Sequence, residues 1–550
     1  TIGPFDFNNT GTLDIQSGSV NVSSTNFNNN GVVNLAAGRT LNLGAAGTGS
    51  GDYVLAAGAT VNLTSAQTLN AGADISGAGT FTVAGGTLSL AAATSIDNLI
   101  LTTGGTLTGA GALTVDNSLV WSGGTMSGAG STLVPVGTAL TLNTTSQNLT
   151  LNARTFTNNS AGAVWSGDNS IQIGNGAVFT NAGSLTATGN GTLSNFGGSG
   201  GTFNNTGTLT KSTGTGITTL TTIGPFDFNN TGTLDIQSGS INAASSSFVQ
   251  TGTVTLGSGT TLSRAGGFTN SAGGTISGSG TIDVGAGNTL TNQGILKPGG
   301  TGFAGTLSIA GNLVNGASGT IEAEIGGITA GSQYDVIAVS GNVTLSGGTL
   351  NNTLINSFVP AGQSFDIITA GGTASGSFTT LNLSAGLNGA IVGNAFRLTH
   401  SGACAGICWD GGAGTLNWMD LLNWSTDVLP TSLDDVQIPE LSGATMDTIL
   451  FGSLAQTVKS LTFLGNDALS ISAGSLTFSN ASSMTNAALN LSGGTLNANG
   501  NLVLKNLNFT GGAFNIGAGA TTTLAGTTAW SNGNFTGASV SSSILSTPTG

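Results

Sequence analysis

Charge is what this 550-residue sequence has least of: 8 basic and 22 acidic residues make up only 5% of the chain, against about 25% in an ordinary soluble domain. That scarcity excludes coiled coils, charged helical repeats and disordered polyelectrolytes. The basic residues, Arg39, Arg154, Lys211, Arg264, Lys297, Arg397, Lys459 and Lys505, stand singly. With a net charge of −14 they form no patch for nucleic acid or for an anionic membrane. One histidine, His400, excludes multi-histidine metal sites and leaves little room for a serine–histidine triad. It reads as a solvated linker residue. Eight prolines without glycine at every third position exclude collagen, and no apolar run approaches the ~18 residues of a membrane-spanning helix.

What is abundant is glycine, 93 residues, within a chain that is 38% apolar, enough apolar surface for a core. Residues 1–21 and 222–242 differ only at Val20 and Ile241, a tandem duplication of 221 residues. Both termini fall inside repeats, which reads as a section cut or processed from a longer array. A shorter motif, [Phe/Leu]-x-Asn-x-Gly-x-[Leu/Val/Ile], recurs at Phe7, Phe27, Phe179, Phe203 and Phe228, with variants at Phe156, Phe248, Phe268 and Leu290. A period of about 20–25 residues is one coil of a β-solenoid. Segments such as Thr12-Leu13-Asp14-Ile15 alternate apolar with polar residues, as half-buried strands do.

The glycines are expected at corners that need positive φ. Stacking at about 4.8 Å puts equivalent residues over one another. Asn9, Asn29, Asn158, Asn181, Asn205, Asn230 and Asn270 are then expected to form amide ladders, and Phe7, Phe27, Phe156, Phe179, Phe203, Phe228, Phe248 and Phe268 to stack inside. A repeated charge would sit over its own copy, which accounts for the missing charges.

These coils resemble the β-helix regions of filamentous-haemagglutinin-like adhesins and of bacterial autotransporter passengers. The stretch from Gly294-Ile295-Leu296-Lys297-Pro298-Gly299 through Gly305-Thr306-Leu307-Ser308-Ile309 to Tyr334-Asp335-Val336-Ile337 is similar to a pattern common in such surface proteins. The resemblance implies an extracellular, right-handed parallel β-helix, all-β. Three divisions follow: a long solenoid over 1–399, a Trp/Asp/Cys-rich junction over 400–440, and a second solenoid over 441–550.

The junction holds Cys404 and Cys408, for which a local disulfide is the first reading and free thiols the second. Asp410, Asp420, Asp427, Asp434 and Asp435 are the calcium candidates, since calcium prefers clustered carboxylates. Trp409, Trp418 and Trp424 either cover the end of a core or stack on sugars. Outside it, Glu322 and Glu324 alternate with apolar residues, which places both on an outer strand face within reach of Asp335. A solvated face is the first reading there, with calcium binding or acid catalysis as alternatives.

No catalytic residue, cofactor-binding residue or resident cofactor is expected. The expected function is a structural fibre or adhesin stalk of a bacterial surface. Its partners would be further copies of itself, head-to-tail or lateral, and surface glycans. A carbohydrate-active β-helix enzyme, a polysaccharide lyase or hydrolase, is the alternative.

Overall fold

The computed structural model describes all residues except 221–223, 359, 361, 401–405, 414, 442–445, 538–539 and 543–550. The described chain is all-β, its parallel strands stacked as a β-solenoid, and the one helical element is a 3-10 turn at Leu421–Asn423. It divides into two compact units, one of residues 1–295 and 309–312, the other of 296–308 and 313–550. The whole 400–440 segment lies within the second.

In the first unit each coil contributes short strands that pair in parallel with their equivalents in the next. Val32–Leu35, Thr40–Leu43 and Gly47–Gly49 lie against Asp52–Leu55, Thr60–Leu63 and Ala66–Leu69. Alternation decides which side chains enter the core: Val33, Leu35, Leu41 and Leu43 are at most 2% exposed, while Thr40 and Asn42 between them face outward. Thr87, Thr106, Thr125 and Thr150 align across four successive coils, so the outer surface of this sheet is a file of hydroxyls.

The phenylalanines follow one another as the period requires, Phe7 and Phe248 only partly buried, with parallel rings from Phe203 through Phe228 to Phe248 and edge-on contacts elsewhere in that run. Ring centroids from Phe156 to Phe179, Phe203, Phe228, Phe248 and Phe268 lie 4.8, 5.3, 5.8, 5.2 and 5.1 Å apart, and Phe7 stacks on Phe27 at 5.5 Å. Beside them runs a buried amide ladder. Nδ2 of Asn158, Asn181 and Asn205 donates to Oδ1 of the next asparagine at 2.8 Å, and Asn230 donates to Gln250 Oε1 at 2.8 Å. Further rungs join Asn9 to Asn29 at 2.7 Å and Asn270 to Asn292 at 2.9 Å.

The motif glycine differs from expectation. Gly183, Gly207, Gly232 and Gly252 have no positive φ. They are glycine because successive coils touch there: a Cβ on Gly207 would lie 2.0 Å from the Gly183 carbonyl oxygen, and one on Gly232 2.1 Å from that of Gly207. Corner glycines such as Gly38, at φ 69°, do have the expected role. Gly207→Ala is therefore expected to lower the stability of the first unit by about 2–3 kcal/mol, the cost of forcing backbones apart in a packed site. Gly11→Ala, whose Cβ would meet nothing within 4 Å, is expected to leave the urea midpoint nearly unchanged.

The avoidance of stacked charge is also incomplete. Asp52, Asp74, Asp97 and Asp116 lie close enough that the other three, after burial, raise the pKa of Asp74. Local donors offset the repulsion, with the Asp74 N–H on Asp52 Oδ1 at 3.1 Å and the Gly77 N–H on Asp97 Oδ2 at 2.6 Å.

In the second unit the coils lengthen and then give way to antiparallel pairing. Ala395–His400 pairs with both Ser364–Ala370 and Leu387–Val392. Parallel coils resume when Ile407–Cys408 pairs with Asp435–Ile438, which pairs with Ser460–Phe463. Ala455–Val458, Ser475–Phe478, Thr495–Ala498 and Ala513–Ile516 continue the stack.

Candidate functional site

The antiparallel hairpin and the segment after it enclose a cleft of about 470 Å³, lined by Tyr334, Ser364, Asp366, Arg397, Asp410 and Asp427 among others. Arg397 and Asp366 meet as a two-point pair, Nε–Oδ1 at 2.7 Å and Nη2–Oδ2 at 2.9 Å. Register dictates this contact, because Asp366 lies opposite Arg397 across the antiparallel ladder. The pairing holds the Arg397 pKa above its ordinary value.

Asp410 accepts the Gly412 N–H at 3.1 Å, yet its pKa is raised, first by burial and then by Asp427 against the pull of that N–H. Burial, with Asp366 adding, also raises Tyr334. Ile328 and Leu422 give the cleft an apolar wall. A polar concavity with one tightly held arginine and three carboxylates has the chemistry to orient a small polar group.

The other calcium candidates are dispersed. Asp420 bonds to Thr415 Oγ1, Asp434 accepts the Thr431 N–H at 2.7 Å, and Asp435 pairs with Lys459 at 2.7 Å and with the Ser460 hydroxyl. Among the described residues no three His, Cys, Asp or Glu side chains form a group that could hold a metal ion. Asp420, Asp434 and Asp435 each answer a local turn or strand donor, which is why closeness in sequence does not become a cluster.

Trp409, Trp418 and Trp424 are fully buried, so their faces are closed to a sugar. Trp424 contacts the other two edge-on at 5.0 and 4.8 Å, and its indole N–H reaches the Trp418 carbonyl at 2.9 Å. They begin the core that continues through Phe451, Leu461 and Phe478. Cys408 is buried and held in a disulfide; Cys404, its expected partner, lies outside the described residues. His400 is not a linker: it ends the strand Ala395–His400, and its Nδ1 accepts the Gly362 N–H at 3.3 Å.

The expectation that Glu322 and Glu324 share a solvated face holds only for Glu322, which pairs with Lys297 at 2.8 Å. Glu324 is 6% exposed, because the loop ahead of the strand Thr306–Ala310 folds over it and the Gly302 N–H donates to it at 2.9 Å. Asp335 does approach: its two oxygens take the Gly305 and Glu324 N–H groups, each at 2.8 Å. A second site of the same build lies where no sequence motif marks it. Asp467 accepts the Leu441 and Asp447 N–H groups at 2.9 and 3.0 Å beside Glu440.

Two of the singly placed cations are buried. Arg154, 1% exposed, clamps neighbouring coils through Thr132 Oγ1 and the carbonyls of Gly109, Gly111, Ser127 and Ser131. Burial lowers its pKa to about 10. Lys211 is 0% exposed. Its burial was legible, since alternation along Thr208-Leu209-Thr210-Lys211 puts it on the same side as Leu209.

Comparison with protein-family models and with curated proteins gives no match. Among the described residues no helix is long and apolar enough to cross a membrane.

Proposed function

We propose that the chain is part of a secreted, non-enzymatic bacterial surface protein, a structural fibre or adhesin stalk that mediates adhesion, cell–cell contact or the formation of extracellular filaments and matrix. The observation that carries this reading is coil-on-coil parallel pairing, with buried Asn and Phe ladders inside and Thr, Ser and Asn outside. Such stacking resists extension because, within a run of parallel coils, each is hydrogen-bonded to the next along its strands. The neutral hydroxyl and amide surface suits contact with further copies or with surface glycans. Neither nucleic acid nor a resident cofactor has a part in this reading.

Electron microscopy of the purified chain, with binding to cells or glycan-coated surfaces measured in parallel, tests it. Filaments or laterally associated rods that bind such surfaces are the expected result. Short isolated monomers with no surface binding would count against it. A carbohydrate-active reading would start from the cleft around Arg397 and Asp410. Release of reducing ends or unsaturated products from a polysaccharide panel, lost in Asp410→Asn, would replace the fibre reading with that one.

A further inference from the structure

Lys211, Asn190 and Asp168 come from three successive coils of the first unit and meet at one corner. Lys211 ends the strand Thr208–Lys211 on its inward side, between Ala187 and Ile236 in neighbouring coils. Its side chain is 0% exposed. Nζ lies 3.0 Å from the Gly189 carbonyl, 3.2 Å from Asn190 Oδ1 and 3.4 Å from the Thr213 carbonyl. Asn190 is held from both sides. Asp168 Oδ1 accepts its backbone N–H at 2.7 Å, and the chain passes over its side chain at two glycines. A Cβ on Gly214 would lie 2.7 Å from Oδ1, and one on Gly216 2.9 Å from Cγ.

We propose that Lys211 and Asn190 join in an intramolecular isopeptide bond, a covalent link between neighbouring coils that the folded protein makes on itself. The neutral Lys211 amine attacks Asn190 Cγ, the new Nζ–Cγ amide forms, the Cγ–Nδ2 bond breaks, and a proton passes from Nζ to Nδ2, which leaves as ammonia. No oxidant, metal or co-reactant enters. Nζ already bonds to the carboxamide oxygen, so a small shift brings it to roughly the 3–3.5 Å at which held groups react without paying translational entropy again. Burial favours the uncharged, nucleophilic amine and pulls the Lys211 pKa below its ordinary value, against the opposing charge of Asp168. Asp168 is a positioning residue: it fixes the Asn190 main chain and touches no reacting atom.

The link does not depend on the fibre reading, and mass spectrometry of the intact chain tests it. The folded protein, incubated at mildly alkaline pH, is expected to lose the mass of one ammonia and to yield on digestion a branched peptide joining residues 190 and 211. Lys211→Arg and Asn190→Ala are each expected to abolish both signals while retaining the β-sheet circular dichroism of the parent. Asp168→Ala is expected to slow the linkage and Asp168→Asn, which keeps an acceptor for the Asn190 N–H, to restore it. A folded chain that keeps its full mass would overturn the proposal. So would an ammonia loss confined to an unbranched peptide over Asn190-Gly191, the mark of succinimide formation at that dipeptide.

Discussion

Raising the pH from about 4 to about 7 is expected to destabilise the second unit, by on the order of 4 kcal/mol at each of two buried carboxyls, Asp335 and Asp467. Both are at most 1% exposed, and burial is the largest cause holding each at about 7 against an ordinary 3.8. Around Asp335, the Glu324 charge raises the value further, while Lys297 and the N–H groups of Glu324 and Gly305 pull it down. Around Asp467, Glu440 and Asp447 both raise it, opposed only by the Asp447 and Leu441 N–H groups. Because the folded state holds these protons more tightly than the unfolded chain, their contribution is complete below about pH 4. It is lost progressively up to about pH 7 and is flat above that.

Urea midpoints at pH 5 and pH 8, read from the tryptophan core at Trp409, Trp418 and Trp424, check this. The wild type is expected to be clearly more resistant at pH 5. Asp335→Asn with Asp467→Asn is expected to remove most of the pH difference while lowering stability at pH 5. A wild-type midpoint that rises between pH 5 and pH 8 would refute the assignment.

How far the sequence discloses this molecule depends on whether a feature repeats. Phe203, Asn205 and Gly207 recur with the coil, so their stacking follows from period and strand spacing alone. Alternation likewise places Leu209 inward and Thr210 outward. Glu324 defeats the same rule, because what buries it is a loop more than twenty residues earlier whose glycines carry no periodic signal. Asp467 is equally hidden, its two partners being the N–H groups of Leu441 and Asp447. The cleft draws Tyr334, Asp366, Arg397 and Asp410 from segments that share no motif, and only antiparallel register brings Asp366 to Arg397. Glycine shows a different limit. Its composition was legible, but whether a given glycine serves a positive φ or a close approach depends on the neighbouring coil.

Asn205→Leu is expected to cost the first unit about 3–5 kcal/mol, although leucine has as many side-chain heavy atoms as asparagine and is the more apolar of the two. Asn205 is 0% exposed, accepts from Asn181 and donates to Asn230 Oδ1 and to the Thr233 carbonyl at 2.7 Å. Leucine strips partners from groups above and below, and each buried polar group left unpaired costs about 1–3 kcal/mol. Asn28→Ala removes a bond of the same kind, Asn28 Nδ2 to Asn8 Oδ1 at 2.8 Å, and the acceptor of the Thr48 N–H at 3.0 Å, but on the exposed face, where water replaces both. There the expected loss is within about 0.5 kcal/mol. Phe203→Leu lies between, because a leucine still fills much of the slot between Phe179 and Phe228. The order of the three urea midpoints separates two accounts of what sets the register of the coils. Apolar side chains tolerate a shifted neighbour, whereas an amide rung displaced by one residue loses its donor and its acceptor together. If Asn205→Leu unfolds no earlier than Phe203→Leu, the phenylalanine stack sets the register and the amide ladder merely accompanies it.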